Sequence, residues 1–112
     1  MEMDASKRCM VVAFFEPAAG HKEAVKKVLE KVIPRVHDEP GCEFYALHED
    51  TRGRLVLIEA WDSRAQWVDH SGFPTVATIE RETEGLLAGP IDVVEMYGVP
   101  VGAEKGIVPH AT

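Results

Sequence analysis

The sequence predicts an α+β domain in which one antiparallel sheet carries two helices on one of its faces. Strand-like and helix-like patterns follow in the order strand, helix, strand, strand, helix, strand, which is the split β-α-β arrangement of ferredoxin-like folds. The chain also has only 112 residues, enough for one domain with a modest core. We therefore expect a single folded unit built around one sheet.

The first strand and the first helix are predicted by different patterns. The run from Cys9 to Phe15 is almost continuously apolar and ends at Glu16, so a strand covered on both faces is expected there. After Gly20, apolar side chains recur at helical spacing and charged ones occupy the opposite face. This apolar stripe consists of Val25, Val28, Leu29, Val32, Ile33 and Val36. Pro34 is expected to bend or stop the last turn of the helix.

A turn, two strands and a hairpin are predicted next. Pro40 and Gly41 fit the second and third positions of a type II turn. The second strand is expected from Cys42 to His48, and a polar loop centred on Gly53 leads to a third strand from Leu55 to Trp61. Alternation along the second strand places Cys42, Phe44, Ala46 and His48 on one face and Glu43, Tyr45 and Leu47 on the other.

A short helix is predicted after the third strand. Ser63 and Gln66 fit a capping box, in which the Ser63 hydroxyl bonds a free backbone amide and the Gln66 side chain reaches back. The helix that starts there carries Trp67 and His70.

The rest of the chain predicts one more helix, one more strand and a tail. A second short helix is expected over residues 75–84, with Val76 and Ile79 facing inward. Alternating residues predict a fourth strand over 91–97. The tail contains apolar side chains between its glycines and prolines, so we expect it to dock on a partner subunit. These boundaries divide the chain into a leader over 1–8, a folded domain over 9–97 and a C-terminal tail over 98–112.

The strands predict a homodimer. Residues 55–58 are apolar on successive positions, and so are residues 11–15 except for the small Ala13, so both faces of these strands need cover. Two helices can cover only one face of the sheet. We expect a second copy of the chain to pack its sheet against the other face.

Composition narrows the classes of partner and compartment. A formal net charge of -7 disfavours binding to a phosphate backbone, so nucleic acid is not an expected partner. No apolar run approaches the roughly 18 residues of a membrane helix, and the N-terminal residues do not fit a signal peptide. Cytoplasmic residence is therefore expected, with Cys9 and Cys42 as free thiols.

One stretch carries a family resemblance. The order Glu39-Pro-Gly-Cys42, an alternating strand, Glu59-Ala-Trp61-Asp-Ser, and then His70 and Phe73 resembles the antibiotic biosynthesis monooxygenase family of the dimeric α+β barrel superfamily. The resemblance covers roughly residues 9–97. It implies a homodimer, and a cavity between helices and sheet that the histidine at the position of His70 lines.

His70 is the candidate catalytic residue. An imidazole titrates near neutral pH and can remove a phenolic proton. The alternative is a structural histidine at the end of a helix that bonds the last carbonyl groups.

Aromatic side chains are the candidate substrate-binding residues. Trp61 and Trp67 could form a wall for a flat ligand, or they could simply fill the core. The same two possibilities hold for Phe73, Phe44 and Tyr45.

The buried carboxylate and the possible cofactors complete the prediction of the site. Glu59 lies in an otherwise apolar strand, so it must find a partner, such as an arginine across the dimer, or shift its pKa. The five histidines lack the spacing of a metal site, and no Gly-rich loop follows a strand, so neither a metal nor a nucleotide or flavin cofactor is expected.

Two functions are consistent with the sequence and the resemblance. The first is a cofactor-independent monooxygenase that oxidises a hydroxyaromatic, quinol or polyketide-type substrate with molecular oxygen, with His70 as base or orienting donor. The second is a dimeric module of the same fold that binds a small molecule, or serves a stress-related role, without catalysis.

Overall fold

The computed structural model describes residues 4–111, which form one four-stranded antiparallel sheet and a layer of helices. The elements in chain order are β1 Cys9–Phe15, α1 Lys22–His37, β2 Cys42–Glu49, β3 Leu55–Trp61, α2 Arg64–Ser71, α3 Pro74–Thr83, β4 Asp92–Met96 and a single 3-10 turn, Glu104–Gly106. The strands lie in the order β2-β3-β1-β4. The predicted ferredoxin-like α+β fold is confirmed.

The core lies between the sheet and the helices. Every second residue of β1 and β3 faces the helices, and these positions are fully or almost fully buried. The α1 stripe covers them through Val25, Leu29, Val32 and Val36. Pro34 does not stop α1, which continues to His37, because a single missing N–H removes only one bond from a helix held down by its buried face.

The first residue of β2 departs from the predicted alternation. Cys42 pairs with Trp61 and Phe44 pairs with Ala60, so Glu43 is the extra residue of a β-bulge. The prediction that Cys42 shares a face with Phe44 is therefore wrong. Residues paired across strands share a face, so the bulge turns Cys42 toward the helices, where it packs against the core.

Helix α2 begins at the predicted cap. The Ser63 hydroxyl oxygen accepts the Gln66 backbone N–H at 3.2 Å and donates to the Gln66 side-chain oxygen at 3.0 Å. The Gln66 side chain therefore reaches back as predicted, but it bonds the Ser63 hydroxyl and not the Ser63 backbone N–H of a full capping box.

Helix α3 begins with Pro74 in its first turn, where a missing N–H costs no helical bond. Ile79 faces inward as predicted, while Val76 is only half-buried. The other buried side chains of this helix are threonines, namely Thr75, Thr78 and Thr83.

The sheet face opposite the helices, called the open face below, is apolar and partly exposed. Ile58 at its centre is 38% exposed, and Val94 and Met96 on the edge strand β4 are each 39% exposed.

Among residues 4–111, no helix combines the length and apolar character that crossing a bilayer requires.

The C-terminal tail returns to its own domain at its end. Arg8 and Glu43 form an ion pair at 2.9 Å, Arg8 donates to the Pro109 carbonyl at 2.9 Å, and Nδ1 of His110 lies 2.9 Å from Glu43. The apolar side chains of the tail are exposed, namely Val99, Val101, Ile107 and Val108. Docking of the tail on a partner subunit stays a prediction.

Candidate active site

A cavity of about 270 Å³ lies between the sheet and helices α2 and α3. The lining side chains that carry a polar group are Tyr45, Glu59, Trp67, His70, Ser71 and Glu80. The remaining lining is aliphatic or phenyl, from Ala13, Phe15, Leu57, Val76, Ile79, Ile91 and Val93. A mainly apolar cavity with a few convergent polar groups is the usual form of a small-molecule site.

A buried carboxylate-histidine pair lies on one wall of this cavity. Nδ1 of His70 is 2.6 Å from Oε1 of Glu39, and the two side chains are 5% and 8% exposed. The other Glu39 oxygen accepts the Thr75 hydroxyl at 2.6 Å. Because a carboxylate only accepts, the proton of the neutral imidazole lies on Nδ1, and in that form Nε2 has the lone pair.

The free imidazole nitrogen of His70 is reachable from the cavity. Nε2 makes no hydrogen bond within residues 4–111, yet no buried side-chain nitrogen or oxygen there lacks a partner, so Nε2 retains accessible surface. Nδ1 is bound to Glu39 and not to the last carbonyl groups of α2. An imidazole held in this tautomer by a carboxylate is arranged to accept a proton.

Aromatic rings hold His70 in place. The Trp61 ring lies 4.5 Å from the imidazole at a 32° tilt, and the Tyr45 ring lies 5.6 Å away at 68°. Burial raises the pKa of Tyr45 well above its usual value, so its hydroxyl stays neutral and is not a base.

Glu59 lies under the cavity on the helix-facing side of β3. It is 4% exposed, and its Oε1 accepts the Trp61 indole N–H at 3.0 Å. Burial is the main cause that raises its pKa to about 7; the indole hydrogen bond from Trp61 opposes the rise, and the negative charge of Glu39 adds to it. No arginine or lysine pairs with Glu59 within residues 4–111, so its burial shifts the pKa instead.

The structure separates the predicted aromatic residues into two groups. Tyr45 and Trp67 line the cavity with His70. Trp61 is fully buried behind the imidazole and outside the lining. Phe73 precedes α3 outside the lining, and Phe44 lines a shallow second groove beside α1.

Sequence reasoning missed Glu39 and Thr75 as site residues. Glu39 bonds His70, and Thr75 bonds Glu39. The two residues lie 31 and 5 positions from His70, in a turn and in the first turn of α3. The only available signal was that Glu39 opens the Glu-Pro-Gly-Cys stretch that carries the family resemblance.

In the part of the chain that the structure describes, no three histidine, cysteine or acidic side chains come together as metal ligands would.

The fold and the cavity define a class, the ferredoxin-like α+β domains with a small-molecule cavity between helices and sheet. Within this class the chain belongs to the antibiotic biosynthesis monooxygenase family, whose model matches residues 8–81.

The relatives support both the family and the fold. Rv0793 of Mycobacterium tuberculosis is 32% identical over 84 residues, which cover 74% of this chain and 83% of that protein. Its solved structure superposes with a TM-score of 0.77 at 28% identity, covering 88% of this chain and 99% of that one. PA3566 of Pseudomonas aeruginosa gives a TM-score of 0.76 at 25% identity, covering 87% and 99%.

Proposed function

We propose that the protein is a cofactor-independent monooxygenase that oxidises a hydroxyaromatic or quinol substrate with molecular oxygen. The observation that carries this proposal is the Glu39-His70 pair, which presents a basic imidazole nitrogen to an apolar, aromatic-lined cavity. Family membership points to the same reaction class.

The proposed chemistry needs a base and a dry site. Removal of a phenolic proton by Nε2 of His70 makes the ring electron-rich enough to reduce oxygen itself. Glu39 stabilises the imidazolium that forms, because its carboxylate accepts a hydrogen bond from the Nδ1–H group. The apolar lining keeps water from the reactive oxygen adduct.

The volume of the cavity supports a small substrate. A cavity of about 150 Å³ accommodates benzene, whereas this one is about 270 Å³. A compound of one or two rings fits such a volume, which favours simple quinols and hydroxyaromatics over larger polyketide-type compounds.

We also propose that the protein acts as a homodimer in the cytoplasm. The partly exposed Ile58, Val94 and Met96 make the open face an apolar surface that a second sheet would bury. The free thiols of Cys9 and Cys42 suit a reducing compartment.

The test is oxygen uptake by metal-stripped protein with a panel of quinols and phenols of one or two rings. We expect His70→Ala to lower kcat at least about 100-fold, the usual share of a general base. Glu39→Gln should cost about 10-fold or more, because the imidazole loses the charge that orients it. His21→Ala is the matched control, since His21 is exposed before α1 and its side chain makes no capping bond.

The outcomes separate the two candidate functions. Uptake by the wild type that His70→Ala leaves unchanged would contradict the role of His70. Saturable binding of the phenols without uptake by any of them would instead favour the non-catalytic binding module.

A further inference from the structure

The second buried acid of the cavity is not used by the proposed base chemistry. Glu59 projects from the middle of β3, where Val11 and Tyr45 are its partners on the two neighbouring strands. Its Oε1 accepts the Trp61 indole N–H at 3.0 Å, while Oε2 has no hydrogen-bond partner within residues 4–111. Since no unpartnered side-chain oxygen there is fully buried, Oε2 is open to the cavity that Glu59 lines.

The hydrogen bond from Trp61 decides where a proton on Glu59 resides. An indole N–H only donates, so Oε1 acts as the acceptor and the acid proton occupies Oε2. In its protonated form Glu59 therefore points an O–H donor into the cavity, whereas His70 presents a lone pair from the wall.

The surroundings favour that protonated form. No arginine or lysine is among the described residues that line the cavity. The titratable groups around Glu59 are Cys9, Glu39, Cys42, Tyr45, His70 and Glu80. A carboxylic acid in such surroundings, with a pKa of about 7, holds its proton near neutral pH and can release it.

We propose that Glu59 is a second catalytic residue of the oxygenation, the acid that protonates the peroxide formed on the substrate. This inference rests on the proposed function, and it adds a proton donor to the base already described. His70 and Glu59 then act as a base and an acid on the same bound ring.

The proton balance of the reaction requires such a donor. His70 takes the hydroxyl proton, the ring anion transfers two electrons to oxygen as a ring C–O bond forms, and Glu59 protonates the resulting peroxide anion. In the next step the Glu59 carboxylate takes the proton from the same ring carbon while the O–O bond breaks. The departing hydroxide takes the proton from His70, so a quinone and one water leave and both residues are restored.

The test compares Glu59→Gln with Glu95→Gln in the oxygen-uptake assay. Gln keeps the size of the side chain and can still accept from Trp61, but its amide is no acid. Glu95 is a matched control, because it flanks Val11 on the opposite side from Glu59 and lies outside the cavity lining.

We expect Glu59→Gln to lower kcat about 100-fold or more, the usual share of general acid catalysis, and Glu95→Gln to leave kcat unchanged. The wild-type kcat should also fall as the pH rises past about 7, because ionised Glu59 cannot donate. Glu59→Gln should lack this alkaline decline.

Two results would overturn the role of Glu59 while leaving the proposed oxygenase function intact. They are a retained kcat in Glu59→Gln and the absence of the infrared band described below. Wild-type kcat retained in Glu59→Gln would remove the catalytic role of Glu59, whereas no uptake by the wild type would remove the oxygenase itself. An infrared spectrum of the wild type detects the protonated acid directly. This measurement depends neither on turnover nor on the folding of a variant. The carbonyl band of a protonated carboxyl should be present below neutral pH and lost at alkaline pH, and its absence throughout would contradict the proposal.

Discussion

Two buried glutamates near His70 show how the hydrogen bonds of a residue decide its chemistry. Glu39 has a hydrogen-bond donor for each of its two oxygens, from His70 and Thr75. Glu59 receives one donor, from Trp61, and burial raises its pKa to about 7. The same side chain therefore serves in the proposed mechanism once as a fixed anion and once as an acid.

The raised pKa of Glu59 predicts a pH-dependent stability. The folded state holds the proton more tightly than the unfolded chain, so this contribution is complete below pH 4.5 and is lost as the pH rises through about 7. Its full size is about 3 kcal/mol at most. We expect Glu59→Gln, which cannot ionise, to gain stability relative to the wild type by up to that amount between about pH 5 and pH 8.

Urea unfolding of both proteins at the two pH values measures this difference. Glu95→Gln should show no comparable change over the same interval, because hydrogen bonds from Tyr97 and Arg64 lower the pKa of Glu95. A gap between wild type and Glu59→Gln that is the same at both pH values would show that Glu59 does not titrate there.

At the scale of elements, the turn between α1 and β2 positions one half of the site. Gly41 has a φ of 83°, as a type II turn requires, and the Cys42 N–H bonds the Glu39 carbonyl at 3.2 Å. The turn also packs against Gln66 at the start of α2, the helix that carries His70. One tight turn therefore fixes Glu39 relative to its partner histidine.

Replacing Gly41 is expected to damage both the turn and the cap of α2. In Gly41→Ala the alanine backbone has to adopt the left-handed conformation of the turn. Its new Cβ also overlaps the Gln66 side chain, which must move. We expect a loss of about 2–3 kcal/mol from strain and overpacking together. Gly53→Ala is the matched control, with a φ of 82° but no atom near the new Cβ, and should lose only about 1 kcal/mol.

Chemical denaturation gives both values. Equal losses in the two variants would mean that contact with Gln66 contributes nothing, and that the backbone conformation alone makes glycine necessary at position 41.

At the scale of the whole molecule, the helix layer covers one face of the sheet and the other remains apolar and partly exposed. Ile58 pairs with Val12 and Ala46 at the centre of that open face. Packing against a second sheet would remove these side chains from water at a gain of roughly 25 cal/mol per Å².

Ile58→Lys is expected to convert the proposed dimer to a monomer, because each copy would place a charge in the apolar interface. Sedimentation velocity over a range of concentrations measures the mass. Val68→Lys should remain dimeric, since Val68 is 45% exposed on α2, in the helix layer. A wild-type mass equal to one chain at every concentration would contradict the dimer.

Local patterns determined most of the fold. The apolar run of β1, the stripe of α1 and the alternation of β2 predict their elements because the periods of strand and helix appear directly in the residues. The order of the elements then leaves few topologies open. The bulge at Glu43 was not predictable, since an extra residue in a strand shows only against its partner strand.

The candidate site was predictable only in part. His70, Tyr45 and Trp67 could be proposed from residue type and resemblance, and all three line the cavity. The sequence alone also marked Glu59 as a carboxylate that needs a partner or a shifted pKa. Only the tertiary structure brought Glu39 to His70, because this contact joins two separate elements. It alone also opened one oxygen of Glu59 to the cavity, because Trp61 supplies a hydrogen-bond donor to the other oxygen only.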